Sequence, residues 1–151
     1  MKKKYAGYIN LKPLNGVIYP SSIQNTIMKN FIENDLNGIF YLSPTEILQA
    51  KYSITLKTLL SSETKVKGIV MLSSFMLSKN YSERLQFYHQ AIKAKKQIFF
   101  ILDEINFKTK QDIEKIENFL IFNTSFFTET KKILNKYEDY FMKKYKKITF
   151  V

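Results

Sequence analysis

The chain contains no cysteine and no tryptophan, only four glycines and three prolines, and one histidine. Without cysteine there is no disulfide framework, no thiolate nucleophile and no cysteine-ligated zinc or iron–sulfur centre. With so little glycine and proline there is no collagen-like repeat, no flexible linker and no low-complexity tract. Long apolar runs are missing too. The longest, Gly68 to Leu72 and Ile98 to Leu102, fall far short of the roughly 18 residues a membrane-spanning helix needs. The N-terminal Met-Lys-Lys-Lys leads into Tyr5-Ala6-Gly7-Tyr8 rather than the apolar core of a signal peptide, so a cytoplasmic location is expected. Several reaction signatures are also absent: Walker A, Gly-x-Gly-x-x-Gly, His-Glu-x-x-His and Gly-x-Ser-x-Gly. This argues against a P-loop nucleotidase, a Rossmann dehydrogenase, a zincin or an α/β-hydrolase. The sequence names no cofactor and leaves metal dependence open.

What is present describes one compact domain. The chain has 151 residues, 45% hydrophobic and 25% charged, close to the globular average. Its formal net charge is +11, yet among 24 basic side chains only Arg84 is an arginine. Phosphate and base-edge readers favour the guanidinium fork, so the lysines read as a solvated coat and nucleic-acid binding ranks last among the functions considered. The clusters are Lys2 to Lys4, Lys93 with Lys95 and Lys96, and the run from Lys131 to Lys147.

Short β-rich runs alternate with segments of helical period, the pattern of an α/β domain with a mostly parallel sheet of four or five strands flanked by helices, flavodoxin-like or resolvase-like. Four strands are expected, at Tyr5 to Asn10, Gly38 to Leu42, Lys67 to Ser73 and Gln97 to Leu102, each apolar enough to be covered on both faces. Ser21 to Gln24 reads as a capping box opening a helix to about Glu33, with Ile23, Ile27, Met28 and Phe31 as its buried stripe. Ser43-Pro44-Thr45-Glu46 predicts a second helix start, followed by Ile47, Leu48, Tyr52, Leu56, Leu59 and Leu60. A third helix is expected from about Ser82 and a fourth from Thr109. Residues 1–123 form the α/β domain on this reading. Residues 124–151 are an appended basic amphipathic helix and tail of the same domain, which suits a surface helix or a homodimer contact.

In an open parallel sheet a ligand sits beyond the carboxyl ends of the strands, where strand order reverses. That places Asn10 and Lys12, Ser43 and Glu46, Ser73 and Ser74, and Asp103 and Glu104 near a site. Asp103 and Glu104, with Glu46, could assemble an acid/base pair or a magnesium site, and Glu46 and Glu104 are the candidate catalytic carboxylates. Arg84, near the start of the third helix, is the candidate clamp for phosphate or carboxylate. Tyr8, Ser22, Gln24, Ser43 and Ser73 complete the candidate ligand-binding set. Ser21, Ser43 and Thr109 also read as helix caps, and Tyr8, Tyr52 and Phe75 as core aromatics. A serine–histidine triad is disfavoured because the sole histidine, His89, falls within a helix.

A distributed set of residues carries a resemblance. It comprises Gly7-Tyr8-Ile9 with Pro13 and Gly16, Pro20 with Ile23-Gln24-Asn25, Leu42-Ser43 with Thr45-Glu46 and Tyr52, and Gly68-Ile69-Val70. It continues through Ser73, Phe75, Leu77 and Arg84 to Glu104 with Asp112-Ile113-Glu114. Over roughly residues 5 to 120 the chain resembles the small sporadic carbohydrate cluster proteins found among bacterial surface-polysaccharide genes. Asn10-Leu11-Lys12 departs from that pattern, in which a polar, arginine-containing stretch follows the first strand. The layout is also similar to the catalytic domain of serine recombinases, whose chemistry needs several arginines around a nucleophilic serine. The first resemblance implies an enzyme or accessory factor acting on an activated sugar or related metabolite for capsule or lipopolysaccharide synthesis, with a nucleotide sugar or sugar phosphate as partner. The alternative is a noncatalytic module that pairs through its final helix.

Overall fold

A computed structural model describes residues 1–14, 16–46 and 53–145, with side chains of the last helix as far as residue 139. The chain divides into two compact units, Met1–Ile116 and Glu117–Val151. The first is an α/β unit. Its strands are β1 (Lys4–Gly7), β2 (Ile39–Leu42), β3 (Gly68–Met71), β4 (Gln97–Phe100) and β5 (Ile105–Phe107), in the order β2-β1-β3-β4-β5. The first four are mutually parallel and β5 runs antiparallel to β4. The link from β4 to β5 is a tight turn over Ile101 to Glu104, too short for a parallel crossover.

The helices are α1 (Ser21–Asn30), continued by a π-helical turn over Phe31–Asp35, then α2 (Ile54–Leu60), α3 (Tyr81–Lys93) and α4 (Gln111–Tyr145). The expected fourth and final helices are thus one continuous helix, whose later turns form the second unit. Apolar positions at helical spacing explain the packing of the first unit. Met28 and Ile32 are buried, as are Leu56, Leu59 and Leu60 of α2 and Phe87, Tyr88 and Ala91 of α3. Against them lie Ala6, Ile69, Val70, Met71, Ile98 and Phe100 of the sheet, all fully buried. The Tyr88 ring meets that of Phe107 at 5.2 Å, and Tyr5 meets Phe99 edge-on at 5.8 Å.

Gly68 is required where β3 meets β4, because a Cβ there would lie 2.4 Å from the Gln97 carbonyl oxygen. The neighbouring backbone cannot give way as a side-chain tip can. Lys96, just before β4, is buried, and its Nζ donates to the carbonyls of Leu59 at 2.6 Å, Ser61 at 2.7 Å and Thr64 at 2.8 Å. The ammonium therefore closes the carboxyl end of α2, where a positive charge is favoured. Burial pushes this ammonium below the ordinary lysine value.

Several expectations are corrected. β2 is not covered on both faces. It is the edge strand, and Ile39, Tyr41 and Leu42 are exposed. The capping box at Ser21 does not form, since Pro20 is the N-cap of α1 and no side chain caps it. Gln24 turns inward and Ile23 outward, because Gln24 satisfies backbone polar groups beyond β1. Residues 43–46 are not helical, and Ile47, Leu48 and Tyr52 lie outside the described residues. At α3 the cap is Asn80, whose side chain accepts from the amides of Ser82 and Glu83. At α4 the Asp112 carboxylate reaches back to the amides of Lys108 at 2.9 Å and Thr109 at 2.8 Å, so Thr109 donates its hydroxyl instead of accepting as a cap.

Candidate functional site

The strand order places the reversal between β1 and β3, and the residues that follow these two strands build the polar edge of the sheet. Tyr8 leaves β1 fully buried, and its hydroxyl donates to Oε2 of Glu46 at 3.0 Å. Glu46 is itself buried, anchored by its amide on the Ile9 carbonyl at 2.9 Å. Its two carboxylate oxygens accept from the amides of Thr55 and Leu56, each at 3.3 Å. These are first-turn amides of α2, so Glu46 serves as a cap supplied from outside the helix. Desolvation pushes the Tyr8 hydroxyl far above the ordinary tyrosine value, and the adjacent Glu46 charge and hydrogen bond push it further. Tyr8 is the donor of this pair. The Asn10 side-chain amide donates to the same hydroxyl at 3.4 Å.

Gln24 acts on the same stretch. Its Oε1 accepts from the Asn10 amide at 3.2 Å while its Nε2 donates to the Asn10 carbonyl at 2.8 Å and the Tyr19 carbonyl at 2.7 Å. A side-chain amide with both ends on backbone imitates a strand partner, fixing the chain after β1. Ser43 donates to the Gly7 carbonyl. These three buried residues hold loops in place.

Beyond β3 and β4 a second cluster forms. Ser73 Oγ donates to Asp103 Oδ1 at 2.7 Å, and both the amide and the Oγ of Ser74 donate to Asp103 Oδ2 at 2.6 Å. Such short bonds to a carboxylate are charge-assisted and stiffen the turn. Ser73 also accepts from the Phe75 amide at 3.2 Å. Glu104 is not part of this cluster. It is exposed in the turn with φ of 55°, which directs Asp103 rather than Glu104 onto the serines. Glu104 and Glu46 are therefore not brought together, and among the described residues no three His, Cys, Asp or Glu side chains converge as a metal site. Ser22 is exposed on α1 and His89 on α3.

Arg84 stands apart from both clusters, at a cleft of about 100 Å³ between α2 and α3. Ser53, Leu56 and Lys57 line one side, and Leu77, Arg84 and Phe87 the other. The volume is well above the ~10–15 Å³ needed by one water. The Arg84 guanidinium donates to the carbonyls of Ser78 at 3.0 Å and Lys79 at 2.9 Å, and lies 5.7 Å from the Tyr81 ring centre. Its position is thereby fixed. Ser53 belongs to the cleft wall and directly precedes α2, whose first-turn amides Glu46 accepts from.

Sequence reasoning missed Ser53, Lys57 and the structural role of Lys96. Ser53 carried one available signal, being the residue directly before the helical period Ile54 to Leu60. No helix among the described residues is long and apolar enough to cross a membrane. Comparison with known proteins gives no match to a family model, to a curated protein or to a solved structure.

Proposed function

We propose that the chain binds an activated sugar or a related phosphorylated metabolite in the α2–α3 cleft and acts, as an enzyme or accessory factor, in the cytoplasmic steps of surface-polysaccharide synthesis. The polysaccharide setting comes from the family resemblance. The observation that carries the binding site is the cleft itself, whose lining sets the cations Arg84 and Lys57, with one carboxylate, Glu83, beside the apolar Leu56, Leu77 and Phe87. Concave sites with an apolar wall and a few placed polar groups are where small ligands bind. A guanidinium already oriented by two carbonyls loses little freedom when it takes a phosphate. Ser53, half-buried at the cleft wall, offers a hydroxyl to the polar edge of a sugar.

Glu46 has a positioning role in this reading. Its carboxylate accepts from Tyr8, Thr55 and Leu56, and so it holds the start of α2 that forms one cleft wall. The test is thermal unfolding of the purified chain against nucleotide sugars, sugar phosphates and free nucleotides, each with and without magnesium. At a hundredfold its dissociation constant a ligand adds about 2.7 kcal/mol, which for a chain this size raises Tm by about 5–10 °C. The expected result is a selective shift by one phosphorylated sugar that Arg84→Gln abolishes. No shift with any of these compounds, or a shift that survives Arg84→Gln, refutes the assignment.

A further inference from the structure

The unit Glu117–Val151 carries an apolar surface that the cleft does not use. Along α4, Phe122, Phe126, Ile133 and Tyr137 recur at spacings of four, seven and four residues, which keeps them on one face of a helix. They are 70%, 56%, 52% and 60% exposed. Phe127 and Leu134, also exposed, widen the same stripe. From Phe122 to Tyr137 the stripe extends about 23 Å at a rise of about 1.5 Å per residue. An ordered surface helix normally turns such a stripe toward a core, and a contiguous exposed one marks an interaction face.

Charge identifies the occupant. From Glu117 to Glu129 the helix has no basic residue and exposes the carboxylate of Glu129, Glu117 being buried, whereas from Lys131 to Lys144 five lysines outnumber Glu138 and Asp139. Two such helices side by side in the same direction would set lysine against lysine and Glu129 against Glu129. In opposite directions, the acidic half of each meets the basic half of the other. We infer that this face pairs with a second copy of the chain as an antiparallel helix pair, with its two-fold axis near Thr130. That register opposes Phe126 to Leu134, Phe127 to Ile133 and Glu129 to Lys131 of the second copy. The central turns of the stripe are then covered by apolar side chains, and the interface is isologous, as a two-fold dimer requires. The inference is independent of the cleft and stands or falls separately from it.

Sedimentation of the full chain at micromolar concentration tests the pairing. The expected result is a dimer, with Phe126→Glu raising its dissociation constant at least about tenfold, or ~1.4 kcal/mol, while the helical circular dichroism is retained. Orientation is read by cross-linking, which the absence of native cysteine makes clean. Under a mild oxidant Thr130→Cys is expected to form a disulfide between copies, and Phe122→Cys, which opposes Glu138 in this register, is not. Efficient cross-linking of both variants overturns the antiparallel arrangement in favour of a parallel one. A monomer at all concentrations overturns the pairing, and a monomer that cosediments with vesicles containing phosphatidylglycerol assigns the face to an anionic membrane surface instead.

Discussion

Replacing Lys96 by methionine separates one structural lysine from the surrounding basic surface. The substitution keeps the length of the side chain and removes the donor, so the carbonyls of Leu59, Ser61 and Thr64 lose the ammonium they share. Leaving a buried acceptor unpaired costs about 1–3 kcal/mol. Leu59 is 3% exposed and bears the full cost, whereas the half-buried Ser61 and Thr64 recover part of theirs from water. The favourable charge at the end of α2 is worth a further ~0.3–1 kcal/mol. Against this, methionine no longer requires a buried cation to be stripped of water. The balance is a loss of about 3 kcal/mol, seen in urea as a lower midpoint at unchanged slope and in heating as a fall in Tm of about 6–12 °C. Lys93→Met, exposed on α3, is the control and should stay within about 0.5 kcal/mol of the parent. A Lys96→Met variant less than ~1 kcal/mol below the parent would show that the three carbonyls need no cation and would sink the argument.

Gly68→Ala should destabilise the chain by about 3 kcal/mol through overpacking, because its Cβ meets the Gln97 carbonyl across the sheet. The urea midpoint measures this, with Gly16→Ala as a milder comparison that has strain from φ of 85° but open space around it. The pH dependence of stability should carry a signature of Asp112. Burial raises its carboxyl, but the amides of Lys108 and Thr109, the Thr109 hydroxyl and the nearby Lys115 charge outweigh this and hold it below the ordinary aspartate value. A carboxyl depressed in the fold contributes stability that is complete above the unfolded-state pKa and disappears as pH falls through the folded one. Asp112→Asn should therefore cost about 1 kcal/mol near neutrality, as loss of a helix cap does, and converge with the parent at the acid end of a urea titration series. A constant gap at every pH would contradict it.

The sheet was largely legible in the sequence because strands buried on both faces leave continuous apolar runs: β3 and β4 fall inside the expected runs, and β1 overlaps its run from Tyr5 but starts one residue earlier, at Lys4. β5 escaped because Ile105–Phe107 is three residues long, with Asn106 exposed between two buried neighbours. Helix starts were read less well, and for one reason. Capping rules look a few residues along the chain, whereas the fold caps α2 with Glu46 from nine residues before Thr55 and uses Gln24 for the Asn10 backbone. A lysine at position 96 differs in no local way from Lys93 or Lys95, so only the placement of the α2 carboxyl end singles it out. Between Asp103 and Glu104 the choice lies in the turn, where the residue with positive φ points to solvent and its neighbour meets the serines.

Hydrogen-bond partners show that most of the expected site residues hold the fold. Gln24 and Ser43 donate to backbone carbonyls, Ser73 donates to Asp103, and Glu46 accepts from Tyr8 and the start of α2. For any of them to move a proton in a reaction, a contact that positions a loop would have to break first, at a cost of about 1–3 kcal/mol for each buried group left unpaired. Arg84 is different: two carbonyls steady it, and it forms part of an open wall. A permanently charged guanidinium binds and orients but transfers no proton at physiological pH. Of the expected site residues, Arg84 alone lines the α2–α3 cleft.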